Sequence, residues 1–162
     1  MITPQVLAKA FQRNTGIIKL QSEGISHRES LISLPFRGNC LNWIVGHLLT
    51  NRNNIFKLLE REDCLIPESL KRYQRESKPI TGDEPGVIRF KTLLEYLDHA
   101  QQQLSVFLTS LSEQKLNQQI AFFGESTRSR GEWLFFFYFH DCYHTGQTEI
   151  LRQAAGKDDQ II

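Results

Sequence analysis

Histidine carries the most versatile site chemistry in this chain, and two histidines, His140 and His144, stand four positions apart in "FHDCYHTGQ", within an apolar stretch. Residues at i and i+4 stack on one helix face, so two imidazoles placed there can reach a common metal ion. Spacing alone decides little, because five histidines give such a pair by chance about one time in eight. Their surroundings say more. At about 100° per residue, Trp133, Phe136, Phe137, His144, Gln147 and Leu151 fall within about 60° of His140. Two readings stay open for this segment: a metal site, or core histidines bonded to carbonyls or to each other.

A third histidine, His47 in "NWIVGHLLTN", shares a stripe with Trp43 and Asn51 amid apolar residues. Burying three imidazoles costs desolvation each time unless every ring nitrogen finds a partner, whereas one divalent cation engages all three. The metal reading therefore gains over the core reading. His27, in the polar segment "ISHRES", and His99, after "EYLD" on a mixed face, read as solvated or ordinary structural residues.

Three neutral imidazoles leave an ion its full charge and an open position, the pattern of a catalytic and not a closed structural zinc site. Such an ion lowers the pKa of a bound water or activates a thiolate, so hydrolysis and thiol transfer are both available. Zinc is the default expectation, while nickel and iron also suit imidazole. No residue identifies itself as the catalytic acid or base. Asp141, displaced about 100° from His140, reads equally as an acceptor behind His144 and as a solvated or capping carboxylate. Gln147, Trp43 and Asn51 are candidates to support the ligands or meet a substrate. Cys142 points about 160° off the stripe and reads as packing, and Cys40 lies about 10 Å along the helix from His47, too far to share an ion. Glu149 and Arg152 could close a mouth near the last turn, although a charged surface pair is the simpler account.

Four segments with helical periodicity position these residues, none of the chain reads as paired strands, and the class is all-α. Helix one starts at Thr3 as N-cap with Pro4 in its first turn and runs toward Gly24. Helix two is opened by Asn39, carries Leu41, Ile44, Val45, Leu48, Ile55 and Phe56, and ends at "EREDC". Helix three spans about Val87 to Leu111, and helix four opens with a Ser129/Glu132 capping box and ends at Gly156. The stretch from Arg61 to Gly86, with Pro67, Pro79, Gly82 and Pro85, reads as a loop long enough to cross a bundle, so helices two and three can run parallel.

Composition narrows the class of function. The 162 residues suit one domain, 1–162, and nineteen Lys and Arg against eighteen Asp and Glu leave no broad footprint for nucleic acid or an anionic membrane. Three widely spaced cysteines suit reduced thiols, and "MITPQVLAKAFQRNTG" lacks the charged and apolar regions of a signal peptide. A cytoplasmic protein without nucleic-acid or membrane partners is expected. The "LFFFYF" run is apolar around nearly its whole circumference, more than a small bundle covers, which predicts a homodimer.

The order of "NWIVGHLL" followed by "FHDCYHTGQTEILRQAAG" resembles the DinB-like (DNA-damage-inducible) family over nearly the whole chain, including the long middle loop and the HxxxHxGQ ending. The resemblance implies a four-helix bundle in up-down-down-up order with a long crossover between helices two and three. It also implies a metal site of three histidines open to solvent and frequent homodimers. His47, His140 and His144 occupy the motif's metal positions, and Gln147 matches its GQ. Relatives include transferases and isomerases that use bacillithiol, mycothiol or glutathione. The expectation is a divalent-metal-dependent enzyme of thiol S-transferase type, acting on a small molecule with a low-molecular-weight thiol. The alternatives are a metal-dependent hydrolase and a non-catalytic metal-binding or stress-response protein. The family name records an induction context and is no sign of DNA contact.

Overall fold

The computed structural model describes residues 3–66, 69–124 and 126–161. Met1 and Ile2 of the N-terminal stretch, and Pro67 among the loop breakers, lie outside the described residues. The chain is mostly helical, with four long helices: α1 (Pro4–Ser22), α3 (Leu41–Leu58), α4 (Phe90–Ser110) and α6 (Arg130–Ala154). Two one-turn helices, α2 (His27–Ser30) and α5 (Glu113–Leu116), and a hairpin of β1 (Gln119–Phe122) and β2 (Ser126–Ser129) accompany them among the described residues.

Local chemistry sets most of the helix ends. Thr3 Oγ1 accepts from the Val6 N–H at the start of α1, where Pro4 gives up no needed donor. At α6 the Ser129/Glu132 capping box is formed in both directions, and Gly156 follows the helix at φ +79°. α3 departs from expectation: its N-cap is Cys40, with no side-chain cap bond, and not Asn39. α4 starts at Phe90 instead of Val87, because Ile88 is held outside the helix. Its N–H donates to the Tyr73 hydroxyl at 2.7 Å, and its carbonyl accepts from Asn42 at 3.0 Å.

Two expectations fail for stated reasons. The hairpin pairs Gln119 with Ser129 and Phe122 with Ser126, so the chain is not purely helical. "STRS" is wholly polar and neither strand is buried, which leaves no period-2 alternation to read. His27 lies in α2, which has its own Ser26/Glu29 capping box, and not in open loop. The ring's Nδ1 accepts from the Phe90 N–H at 3.2 Å and its Nε2 sits 3.3 Å from Asp83. The long connection from Arg61 to Gly86 contains two 3-10 turns, Glu62–Cys64 and Lys71–Tyr73, and buries Leu70, Tyr73 and Ile80.

Helix α1 packs on α4 and α6, and α3 packs on the same two, so the long helices form a ring in the order α1, α4, α3, α6. The core divides along the ring axis. One apolar cluster joins Ile18, Leu41, Ile44, Leu48, Leu93, Leu97 and Leu151; the other joins Leu7, Phe11, Ile55, Leu104, Trp133 and Phe137. Between them lies a buried polar layer. Arg52 Nη2 donates to Asp141 Oδ2 at 2.7 Å and reaches the Thr15 hydroxyl and the Gln101 amide oxygen at 3.4 Å. Both charged groups are fully buried. No described helix is long and apolar enough to cross a membrane.

Candidate metal centre

His47 comes from the middle of α3, and His140 and His144 come from consecutive turns of α6, which packs beside it. The rings converge through one atom each: His140 Nε2 lies 3.3 Å from His47 Nε2 and 3.2 Å from His144 Nε2. One ligand atom from each of the three falls within 4.8 Å of the others, a group able to hold a metal ion.

The outer nitrogens decide what the inner ones can be. His47 Nδ1 is 2.8 Å from the Tyr73 carbonyl, which only accepts, so Nδ1 carries the proton and Nε2 a lone pair. With the Gln147 amide oxygen 2.7 Å from His144 Nδ1, the same holds for His144. His140 Nδ1 is buried with no partner among the described residues. A proton on His140 Nε2 can satisfy one of the two facing lone pairs, and the other then meets nothing complementary. A divalent cation satisfies all three. Two nitrogens about 2.0–2.1 Å from one tetrahedral ion stand roughly 3.3–3.4 Å apart, close to the separations seen here.

Electrostatics keep the rings in the ligating form. Burial pushes the His47 pKa down to about 4, partly opposed by its bond to the Tyr73 carbonyl. His140 falls to about 3 through burial and the neighbouring His144, His47 and Arg52, and His144 is lowered by burial. All three are therefore neutral at pH 7, as coordination requires. Burial also pushes the Asp141 carboxyl up, while Arg52 draws it down. A neutral Asp141 would leave a fully buried guanidinium without a counter-ion, so we read the pair as ionised.

The other residues singled out from sequence fall in distinct places. Trp43 stacks on His47, with centroids 4.5 Å apart and planes at 16°, and its Nε1 donates to Ser77 Oγ at 2.9 Å. Asn51 is buried and donates to the His47 carbonyl at 2.9 Å, bonding the helix and no ring. Asp141 is neither solvated nor a cap, and it is no acceptor behind His144, whose Nδ1 goes to Gln147. Its paired oxygen is taken by Arg52, beneath the histidines. Arg152 forms no surface pair with Glu149: it is buried, donates to the carbonyls of Gln21 and Glu23, and pairs with Asp159. Cys142 accepts from Asn14 Nδ2 at 3.2 Å, and His99 is exposed on α4.

Sequence reasoning missed Tyr73. Its carbonyl orients His47, and its ring packs so closely on α3 that a Cβ at Gly46 would lie 2.1 Å from Tyr73 Cδ1. A backbone carbonyl leaves no residue-type signature, but a glycine beside a histidine in mid-helix is a signal of close approach. Arg52, another omission, stands five residues after His47 inside the polar run "TNRNN", where a cation reads as solvent-facing.

Two cavities, of about 850 Å³ and about 690 Å³, open beside the histidines, and His47 and His140 line both. A helical protein with three neutral imidazoles at the meeting point of two open cavities has the donor set of a metal-binding protein with room for a second molecule. The chain belongs to the DinB superfamily, whose family model matches residues 35–148 and so covers all three histidines. No curated protein matches the chain.

Proposed function

We propose that His47, His140 and His144 hold one divalent metal ion, zinc before nickel, and that the chain is a metal-dependent enzyme of thiol S-transferase type. The observation that carries this is the convergence of three Nε2 atoms whose outer nitrogens at His47 and His144 are already committed to the Tyr73 carbonyl and the Gln147 amide. When bound, the ion supplies Lewis acidity and depresses the pKa of a coordinated thiol or water. The chain's own residues do the positioning: Tyr73 and Gln147 fix the rings' tautomers, Trp43 braces His47, and the two cavities admit the reactants. Among the described residues no carboxylate lines either cavity to serve as base toward a metal-bound water, which favours thiol transfer over the hydrolase alternative.

The same reading includes the up-down-down-up order. One core cluster draws on Ile18 late in α1 and on the early parts of α3 and α4; the other draws on Leu7 early in α1 and on Ile55 and Leu104 late in α3 and α4. It includes a homodimer too, supported by the exposed Phe135, Phe139, Tyr143 and Ile150 along α6, and a cytoplasmic setting, supported by three free cysteines. Light scattering that returns 18.8 kDa across micromolar concentrations would reject the dimer.

Elemental analysis and a thiol and electrophile screen, run beside ester and amide hydrolysis, test the enzyme reading. The expected result is one zinc per chain, lost when all three histidines become Ala, and chelator-sensitive turnover that requires a thiol. Metal-dependent hydrolysis without thiol would move the chain to the hydrolase reading. Bound metal without turnover in either assay would leave a non-catalytic binding role.

A further inference from the structure

The walls of the two cavities carry charge of one sign. Lys57 and Lys71 line the larger cavity, Arg37 the smaller, and Arg75 both, while no aspartate or glutamate lines either among the described residues. The chain as a whole is nearly balanced, with nineteen Lys and Arg against eighteen Asp and Glu. Nearby cations are matched: Arg72 pairs with Glu84, Arg61 with Asp63, and Arg130 and Lys115 with Glu60. Lys57, Lys71 and Arg75 enter none of the ion pairs formed among the described residues.

Long cations on a surface usually need no partner but water. Two features set these apart. They come from separate elements, Lys57 from the end of α3, Lys71 from the 71–73 turn and Arg75 from just after it, yet border one cavity, and that turn supplies the carbonyl that orients His47. The site also lacks counter-charge. Its three candidate ligands are imidazoles, which bring no negative charge, and the buried carboxylate beneath them, Asp141, is already matched by Arg52. A divalent ion there, ringed by further cations, leaves positive charge that an anionic ligand would offset.

We propose that the cavities take a small anionic molecule, bearing a carboxylate or a phosphate, whose charged end is held by Arg75 with Lys71 and Lys57. The proposal rests on the metal reading for the position of the reacting end, whereas the anion subsite itself belongs to the cations. Calorimetric titration of zinc-loaded and chelator-treated protein with succinate, inorganic phosphate and the neutral succinamide tests it. At least one anion should bind about tenfold more tightly than succinamide in both preparations, and added salt should weaken it. Whichever of succinate and phosphate binds better names the group. The Lys71→Ala/Arg75→Ala variant should lose the preference with zinc content unchanged, while Lys9→Ala/Lys91→Ala, which removes equal charge outside both cavities, should keep it. Equal binding of all three probes, or a preference that survives loss of Lys71 and Arg75, overturns the proposal. Anion preference in a chain that binds no zinc would keep the subsite and reject the metal reading, and zinc binding without preference would do the reverse.

Discussion

An imidazole presents two nitrogens, and at this site the one facing away governs the one facing in. Tyr73 and Gln147 hold protons on the outer nitrogens of His47 and His144, so their removal should weaken metal binding without removing a ligand. Gln147→Ala is expected to retain zinc at saturation but to bind it about 10- to 100-fold more weakly, measured by competition with a chromophoric chelator. His144→Ala should lose zinc, whereas Cys142→Ala, which removes a partner of Asn14 and Tyr138 and no ligand, should not. Equal zinc affinity in the Gln147→Ala and parent proteins would mean that the amide does not orient the ring. The three histidines were legible because their type is rare and their helical phase placed them on apolar stripes. The Tyr73 carbonyl was not, since any residue carries one.

Residues 71–77 act on α3 as a strap. Tyr73 packs against Gly46 and gives its carbonyl to His47, while Ser77 accepts from the Trp43 ring. A methyl group at Gly46 would collide with the Tyr73 ring itself, which is fully buried, so the strap must move. Gly46→Ala should therefore destabilise the fold by roughly 1–3 kcal/mol and lower zinc affinity together, as read by urea unfolding and the chelator assay. The control is Gly146→Ala on α6, where a Cβ meets nothing and the φ is not positive. That change should stabilise by about 0.4–1 kcal/mol. Loss of stability in both variants, or in neither, would argue against close packing as the cause. At this scale the four long helices were legible from their apolar period and caps. The strap was not: its 3-10 turn is three residues long and its anchors, Tyr73 and Ser77, are single residues in a polar stretch. The start of α4 was misjudged for a related reason, because tertiary bonds to Ile88 overrode an apolar pattern that continued through Val87.

Taken whole, the molecule places ionisable groups where most bundles place aliphatic ones, with Arg52, Asp141 and the histidines between two apolar clusters. Removing one partner of the buried pair should be costly: Arg52→Ala is expected to destabilise by roughly 3–5 kcal/mol, because Asp141 is left uncompensated. The histidines make stability depend on pH. Unfolded imidazoles titrate near about 6.5, whereas folded His47 and His140 stay neutral down to about 4 and about 3. Between those limits the unfolded chain binds more protons, so stability is fully present above about pH 6.5 and is lost as pH falls through the window. The shift at His47 alone corresponds to about 3 kcal/mol. The exposed aspartates with lowered pKa, Asp63 and Asp159 among them, act below about pH 4, whereas Asp141, whose carboxyl burial pushes up, takes its proton sooner in the folded state and partly opposes the fall. Urea unfolding of chelator-treated protein between about pH 7 and pH 4.5 should show a steady fall, and the His47→Gln/His140→Gln variant should show a much flatter line. Zinc-loaded protein should fall more steeply, since protons then displace the ion as well as charge the rings. A flat profile in the parent protein would mean that the rings are protonated or solvated in the folded state, and the argument for a neutral three-histidine site would fail with it.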